Sequence, residues 1–347
     1  MNGNSQSEYL KRNSMGRLNV FESLMLKMFK VKVENLKQLD IVLLAKNVSE
    51  IILSRDSFAE TDLPKFVNKI KKSNKLAWVL MERISRYEEN MKPASLRLST
   101  DIIFEIKNLD GIIIQNLDSF AYMLRKINKA ANSNLKVELN YTMNCYNDET
   151  KKVYQKLYNV KRENAKINPL LFTAPVELNT YELEEVGYDT MILYSYIDTM
   201  VSANCLRKNT SVVNKNIAEV GTIHHQVVGA DTIRPHRRGE LCEPTCKYRF
   251  SFNNVQDFSS YIIDRKGKKL YYKTYCKYCY NKIFNTDPLF LLDKIEEISN
   301  LKIVDVNTND HTFRIDFSFE NEKEVKDILS MKCPESFTRG HYKNSIK

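Results

Sequence analysis

Glycine is scarce in this chain. It has nine glycines in 347 residues, where an average composition would supply about two dozen. Loops that cradle phosphate on glycine backbone are missing with them. Neither GxGxxG nor GxxxxGK(S/T) occurs, which removes the usual dinucleotide and nucleoside-triphosphate fingerprints. Long apolar runs are absent too. No stretch reaches about 18 apolar residues, so no membrane-spanning helix is expected. The opening Met1-Asn2-Gly3-Asn4-Ser5-Gln6-Ser7 is polar and has no apolar core, so it does not read as a secretory signal. These absences point to the cytoplasm. There is no HExxH, and no Ser-His-Asp or Cys-His arrangement can be read from the chain.

What is present is a globular composition, with 43% apolar and 28% charged residues. The length suits one large α/β domain or two ordinary ones. Lys and Arg outnumber Asp and Glu by 53 to 43, a net charge of +10. A basic balance favours a polyanionic partner. Abundant Lys, Asn, Ile and Tyr are also what an AT-rich coding sequence produces, so local clustering has to decide.

From Leu26 onward a short β-branched or apolar run is followed by an amphipathic stretch, and the cycle repeats. The runs are 28–33, 50–54, 75–80, 111–115, 135–139, 170–173 and 190–194. Asn35 reads as the N-cap of a helix over 36–46, and Asp62 as the cap of a helix with Pro64 in its first turn. Helices are also expected over 95–108, 118–131, 148–164 and 179–186. Seven β-then-α units argue for a mostly parallel sheet covered by helices. A (β/α) barrel of TIM type, complete or incomplete, is the expected α/β fold, with an open doubly wound sheet as the alternative. The cycle breaks after Tyr194. The expected organisation is a polar basic tail over 1–25, a barrel over 26–204, and a small α+β cysteine-bearing basic module over 205–347. The module includes a last unit, a strand over 313–319 and a helix over 321–329.

Four of the seven cysteines, Cys242, Cys246, Cys276 and Cys279, fall in one region as C-x3-C and C-x2-C. In a chain expected in a reducing compartment, such pairs point to metal before disulfides. Two thiolates on each of two tight turns suit tetrahedral zinc. Cys205 follows the seventh run, where the C-terminal mouth of a barrel would be. A cluster ligated by Cys205 and three of the downstream cysteines would instead suit an iron–sulfur centre. Spacing leaves both open, with buried free cysteines as the plain alternative. Cys145 and Cys333 stand apart and read as ordinary thiols.

The segment from Arg265 to Lys282 carries Arg265, Lys266, Lys268, Lys269, Lys273, Lys277 and Lys282 with no acid, and Tyr271, Tyr272, Tyr275, Tyr278 and Tyr280 interleave. Cations for phosphates beside flat rings for bases make a workable RNA-facing surface. The residues expected to touch RNA are Arg265, Lys266, Lys268, Lys269, Lys273 and Tyr275. The alternative is a strand with a solvated basic face. At inferred strand ends, Arg83, Asn116, Asn140, Glu177, Asn179 and Tyr194 could face the mouth. The plain alternative for each is a helix cap or a surface polar group. His224-His225 and His236-Arg237-Arg238 read as solvated loop.

Several runs carry a resemblance. Residues 175–183 (PVELNTYEL), 200–208 (MVSANCLRK), 263–267 (IDRKG), 276–285 (CKYCYNKIFN) and 314–320 (RIDFSFE) resemble, in order and spacing, the collagenase-like peptidase family, peptidase U32. The likeness is to the C-terminal barrel of its long clostridial-type members and spans roughly residues 27–330. Named for reported collagen and peptide hydrolysis, the family also contains iron–sulfur enzymes that hydroxylate tRNA, ribosomal RNA or quinone precursors, some drawing on prephenate. The resemblance implies an enzyme holding a 4Fe-4S cluster on Cys205, Cys246, Cys276 and Cys279, with Cys242 the rival of Cys246. It implies catalytic roles for Glu177 and Asn179, beside Tyr194 at the strand end, with tRNA or rRNA as partner and prephenate as a candidate hydroxyl source. The alternatives are a collagenase-like endopeptidase and a non-catalytic zinc-ribbon module binding RNA or protein. In this chain Asp198 stands where the family signature has a further cysteine, and Tyr194-Ser195 replaces a histidine-glycine pair. The family's N-terminal barrel has no counterpart here, which implies either a fragment or a short member with a second barrel chain as partner.

Overall fold

The computed structural model describes residues 28–84, 102–163, 168–202, 206, 258–263, 267–278, 280–299 and 312–343. Among them, nine strands form one sheet. They are β1 (Phe29–Val33), β2 (Val48–Ser54), β3 (Leu76–Leu80), β4 (Gly111–Ile114), β5 (Lys136–Leu139), β6 (Leu170–Phe172), β7 (Thr190–Ser195), β12 (Leu289–Phe290) and β13 (Thr312–Asp316), in the order β12-β7-β13-β1-β2-β3-β4-β5-β6. All neighbours are parallel except β12, which runs antiparallel to β7. The sheet curls until its ends meet. Thr173, just past β6, bridges Thr190 of β7, and the Ala174 amide donates to the Thr190 carbonyl at 2.8 Å. Strands β1 to β7 plus β13 therefore trace a barrel with a short seam, the α/β architecture expected from the repeated units.

The helices lie outside: α1 (Leu36–Leu44), α2 (Leu63–Lys72), α3 (Leu117–Lys126), α4 (Asp148–Lys161), α5 (Thr180–Val186), α6 (Ile295–Ser299) and α7 (Glu322–Leu329). Asparagine starts five of them. Asn35, Asn116, Asn147, Asn179 and Asn321 each accept a backbone N–H of the first turn, the bond that an N-cap supplies to an otherwise orphaned donor. Asp62 does not cap. Its backbone is already helical and it makes no cap bond, because a 3₁₀ turn at Glu60–Asp62 leads directly into α2.

Strand alternation sorts the barrel interior. Phe29, Val31 and Val33 of β1 face the helices in the main core, which leaves Lys30 and Lys32 to point inward. On one side the interior is aliphatic and aromatic, with Ile52, Trp78, Leu80 and Ile113 packed together. Trp78 occupies the space beside Gly111, where a Cβ would sit 2.2 Å from the indole. On the other side it is ionic. Lys30 donates to Glu138 at 2.6 Å and lies 3.2 Å from the centre of the Trp78 ring. Arg314 forks onto Asp316 at 2.6 and 2.8 Å and reaches Asn140 at 3.0 Å.

The last βα unit differs from its expected place in a separate module. Strand β13 lies between β1 and β7, so it is the barrel's eighth parallel strand. The segment between Ser195 and Leu289 is an insertion within the barrel. Its described part forms a second, antiparallel sheet of β8 (Asp198–Ser202), β9 (Phe258–Ile263), β10 (Lys269–Tyr275) and β11 (Tyr280–Phe284), in the order β8-β11-β10-β9. No helix among the described residues is long and apolar enough to cross a membrane.

Candidate functional site

The small sheet sits over the C-terminal ends of β1, β2 and β3, the face where barrels of this type gather functional groups. Each of these strands is followed within two residues by acid: Glu34 after β1, Asp56 after β2 and Glu82 after β3. The small sheet answers with cations. Lys273 of β10 and Lys282 of β11 are directly opposite each other in the ladder, a juxtaposition of like charges that disfavours pairing by itself. Carboxylates beneath them neutralise it. Lys273 meets Glu34 at 2.5 Å and Lys282 meets Asp56 at 3.3 Å.

Glu34 is the hub. It also accepts from Lys32 at 2.8 Å, from the Tyr275 hydroxyl at 3.1 Å and from Ser57 at 3.2 Å. Burial alone would raise its pKa, but the Lys273 and Lys32 ammonium groups hold the carboxyl far below the usual range. Asp56 goes the other way. It is fully buried, and desolvation outweighs Lys282 and keeps its pKa raised. A second knot lies beside it. Arg55 donates to Glu60 at 3.0 Å and to Glu82 at 2.5 Å. Lys277 donates to the carbonyls of Arg55 and Phe58 at 2.9 and 3.1 Å and lies 3.2 Å from Glu60. Burial pulls Lys277 down to about 8, against the opposing charge of Glu60. Tyr278 donates to the same Glu60 at 3.0 Å. The turn between β10 and β11 is thus pinned to the β2 end by buried ionic contacts.

These contacts correct the reading of the basic-aromatic segment. Lys273 and Tyr275 are buried, and so are Lys277 and Lys282. Their charge is matched by Glu34, Asp56 and Glu60 rather than turned to solvent. Lys268 and Lys269 remain exposed, and Arg265 and Lys266 lie outside the described residues. Tyr194 is likewise turned away from the mouth. It packs in the core against Phe290 and Phe317, and burial with the Glu320 contact lifts its phenol far above the ordinary range. Asn179 is occupied as the cap of α5, accepting from the Tyr181 and Glu182 amides while Glu182 reaches back to its own N–H. Glu177 is half-buried in the β6–α5 loop and meets Tyr146, whose phenol is raised by burial and by that contact. Arg83 and Asn140 do reach the mouth. Arg83 donates to the Gln115 carbonyl at 3.1 Å and lies 3.7 Å from Asp198, which accepts from Tyr141.

Of the cysteines expected to bind metal, Cys276 is described. It is buried in the turn after β10. Cys205, Cys242, Cys246 and Cys279 lie outside the described residues, as do His224, His225 and His236. Among the described residues no group of three or more His, Cys, Asp and Glu is arranged to hold a metal ion. The acids Glu34, Asp56, Glu60 and Glu82 escaped the sequence reading. Their signal is position: each sits within a few residues of the end of a strand that the apolar runs mark.

A cavity of about 710 Å³ opens beside this ionic floor, between the β1 and β2 loops, the β13–α7 loop and the face of β9 and β10. Its size is that of a small-molecule site.

No family model matches the chain, and no curated protein matches it. Among solved structures, a U32 peptidase is similar at 14% identity with a TM-score of 0.36, over 50% of this chain and 71% of its own. An uncharacterised protein of B. cereus is similar at 13% identity with a TM-score of 0.30, over 50% of this chain and 49% of its own. Both scores are too low to establish a common fold, so the U32 likeness stands on the sequence motifs quoted above.

Proposed function

We propose that this chain is a U32-like barrel enzyme that holds a four-cysteine iron–sulfur centre at the barrel mouth and acts on RNA. One observation carries the reading. The β8–β11 register pairs Ser202 with Asn281, three residues before Cys205 and two after Cys279, in the same sheet whose β10–β11 turn carries buried Cys276. Ser202 and Cys276 therefore lie at the same end of the small sheet, the end that meets the β2 and β3 loops, and this supports a centre shared with cysteines close to them in sequence. Thiolate donors suit such a cluster, and Cys205, Cys246, Cys276 and Cys279 would hold it, with Cys242 as rival to Cys246. When bound, the cluster supplies one-electron chemistry. The chain's own part is to anchor it and to exclude water with the buried Tyr275, Tyr278 and Tyr280. RNA as substrate is supported by exposed Lys268 and Lys269 and by the U32 resemblance. The hydroxylating branch is preferred over proteolysis because the cysteine pattern suits an iron–sulfur centre.

The test is metal content after anaerobic purification. A brown protein with broad absorbance near the blue edge of the visible and about four irons per chain is expected, and Cys205→Ser and Cys276→Ser should each lower the iron. A colourless protein holding one zinc, unchanged by Cys205→Ser, would overturn the reading in favour of a structural zinc module.

A further inference from the structure

The cavity beside the ionic floor is built from three kinds of group, and they are layered. Deepest are Lys273 and Glu34, locked together with Ser57. Above them the walls are rings. Phe58 and Phe66 meet edge-to-face at 5.4 Å on the β2–α2 side. Tyr271 lies against Phe319 at 5.6 Å on the other, and Tyr261 is its cross-strand neighbour on β9. Between the rings stands the hydroxyl of Ser259, across the ladder from Lys273 and on the same face as Tyr261 and Tyr271. At the outer edge Lys269 holds its ammonium 4.7 Å from the centre of the Tyr261 ring, exposed to solvent.

Rings inside, a hydroxyl between them and a cation at the lip are what one nucleotide asks for. A base stacks on aromatic side chains, its edge takes hydrogen bonds, and its phosphate takes a cation. The volume is enough for one nucleotide, and a base must leave the duplex stack to enter a concave site. Lys273 is three residues from Cys276 along β10, so the cavity floor lies about 10 Å from that thiol. We propose that this cavity receives a single unstacked nucleotide of an RNA strand, with its base among Phe58, Tyr261, Tyr271 and Phe319 and its phosphate at Lys269. This deepens the RNA reading of the preceding section and rests on it.

The test uses the full chain and a fluorescein-labelled single-stranded RNA oligonucleotide of mixed sequence, followed by anisotropy, with the blunt duplex of the same sequence beside it. Single strand should bind more tightly than duplex. Tyr261→Ala should weaken binding about 10-fold, Tyr261→Phe should retain it, and Lys152→Ala, on an exposed part of α4, should leave it unchanged. Ser259→Trp fills the cavity from an exposed position on the edge strand and should weaken binding without removing a core contact. Equal binding by the parent, Tyr261→Ala and Ser259→Trp overturns the proposal, as does equal affinity for duplex. Iron is measured on the same samples. Protein without iron that still binds single strand through Tyr261 defeats the metal-centre reading alone. Iron-loaded protein indifferent to both variants defeats the cavity alone.

Discussion

Glu34→Gln should be among the most damaging single substitutions in the described chain, because it removes one charge and strands two. In the parent the Glu34 carboxylate faces Lys273 at 2.5 Å and Lys32 at 2.8 Å, with all three side chains buried. Glutamine keeps the shape and loses the charge, so two ammonium groups remain desolvated without their main counterion. Breaking a buried pair in this way costs about 3–5 kcal/mol, a large share of the roughly 5–15 kcal/mol that holds a folded domain together. In thermal unfolding that is a drop of about 10 °C. Glu34→Gln combined with Lys273→Met should recover part of it, since one stranded charge goes. The pH dependence carries a second sign. A carboxyl whose folded pKa lies far below its ordinary 4.5 adds stability above that ordinary value and loses it as pH falls toward the folded one. The parent should therefore weaken below about pH 4.5 by a component that Glu34→Gln lacks. Hydrogen exchange localises the effect: β10 and β11 should lose protection before β4 and β5, because Glu34 ties the small sheet to the barrel. A loss under about 1 kcal/mol, with no change in β10 exchange, would show that the hub behaves as a surface ion pair and refute the reasoning.

Three further outcomes are expected. Gly111→Ala pushes a methyl against the Trp78 indole inside the barrel and should cost about 1–3 kcal/mol in urea unfolding, while Trp78→Leu in the same background should relieve part of it. Lys277 is lowered by burial to about 8, so the folded chain binds fewer protons than the unfolded one above that pH. Stability should rise between about pH 8 and 10, and Lys277→Met should flatten the rise; a parent profile flat over that range would contradict it. Asn179→Ala should cost about 1 kcal/mol as a lost cap and leave metal content and RNA affinity unchanged, whereas a catalytic Asn179 would abolish turnover with normal stability.

The strands of the barrel were legible because buried parallel strands leave dense β-branched runs, and seven of them recur with helical stretches between. The eighth was legible as a strand but not as a neighbour. Phe313–Asp316 pairs with β1 at the far end of the chain, and nothing local in a strand states its partner. The same limit hid the fate of the basic segment. Alternation along β10 puts Lys269, Tyr271, Lys273 and Tyr275 on one face, but whether that face meets water or acid depends on Glu34, 239 residues away from Lys273. Asn179 was legible in two ways at once. The residue pattern Asn-x-x-Glu before a helix is a capping box, and the same residues carry the motif resemblance.

Placing β13 between β1 and β7 also dictates an order of events during synthesis. The strands β1 to β7 leave the ribosome first, yet β1 and β7 both keep a bare edge until Asp316 has emerged. Throughout that interval the nascent barrel presents two unpaired parallel edges, the kind of surface that recruits chaperones or pairs with the wrong strand. The intervening small sheet is translated in that window, and its lysines can dock on Glu34 and Asp56 before the barrel closes. A chain halted just short of Thr312 should therefore hold its small sheet on an open barrel and aggregate, while a chain released after α7 should not.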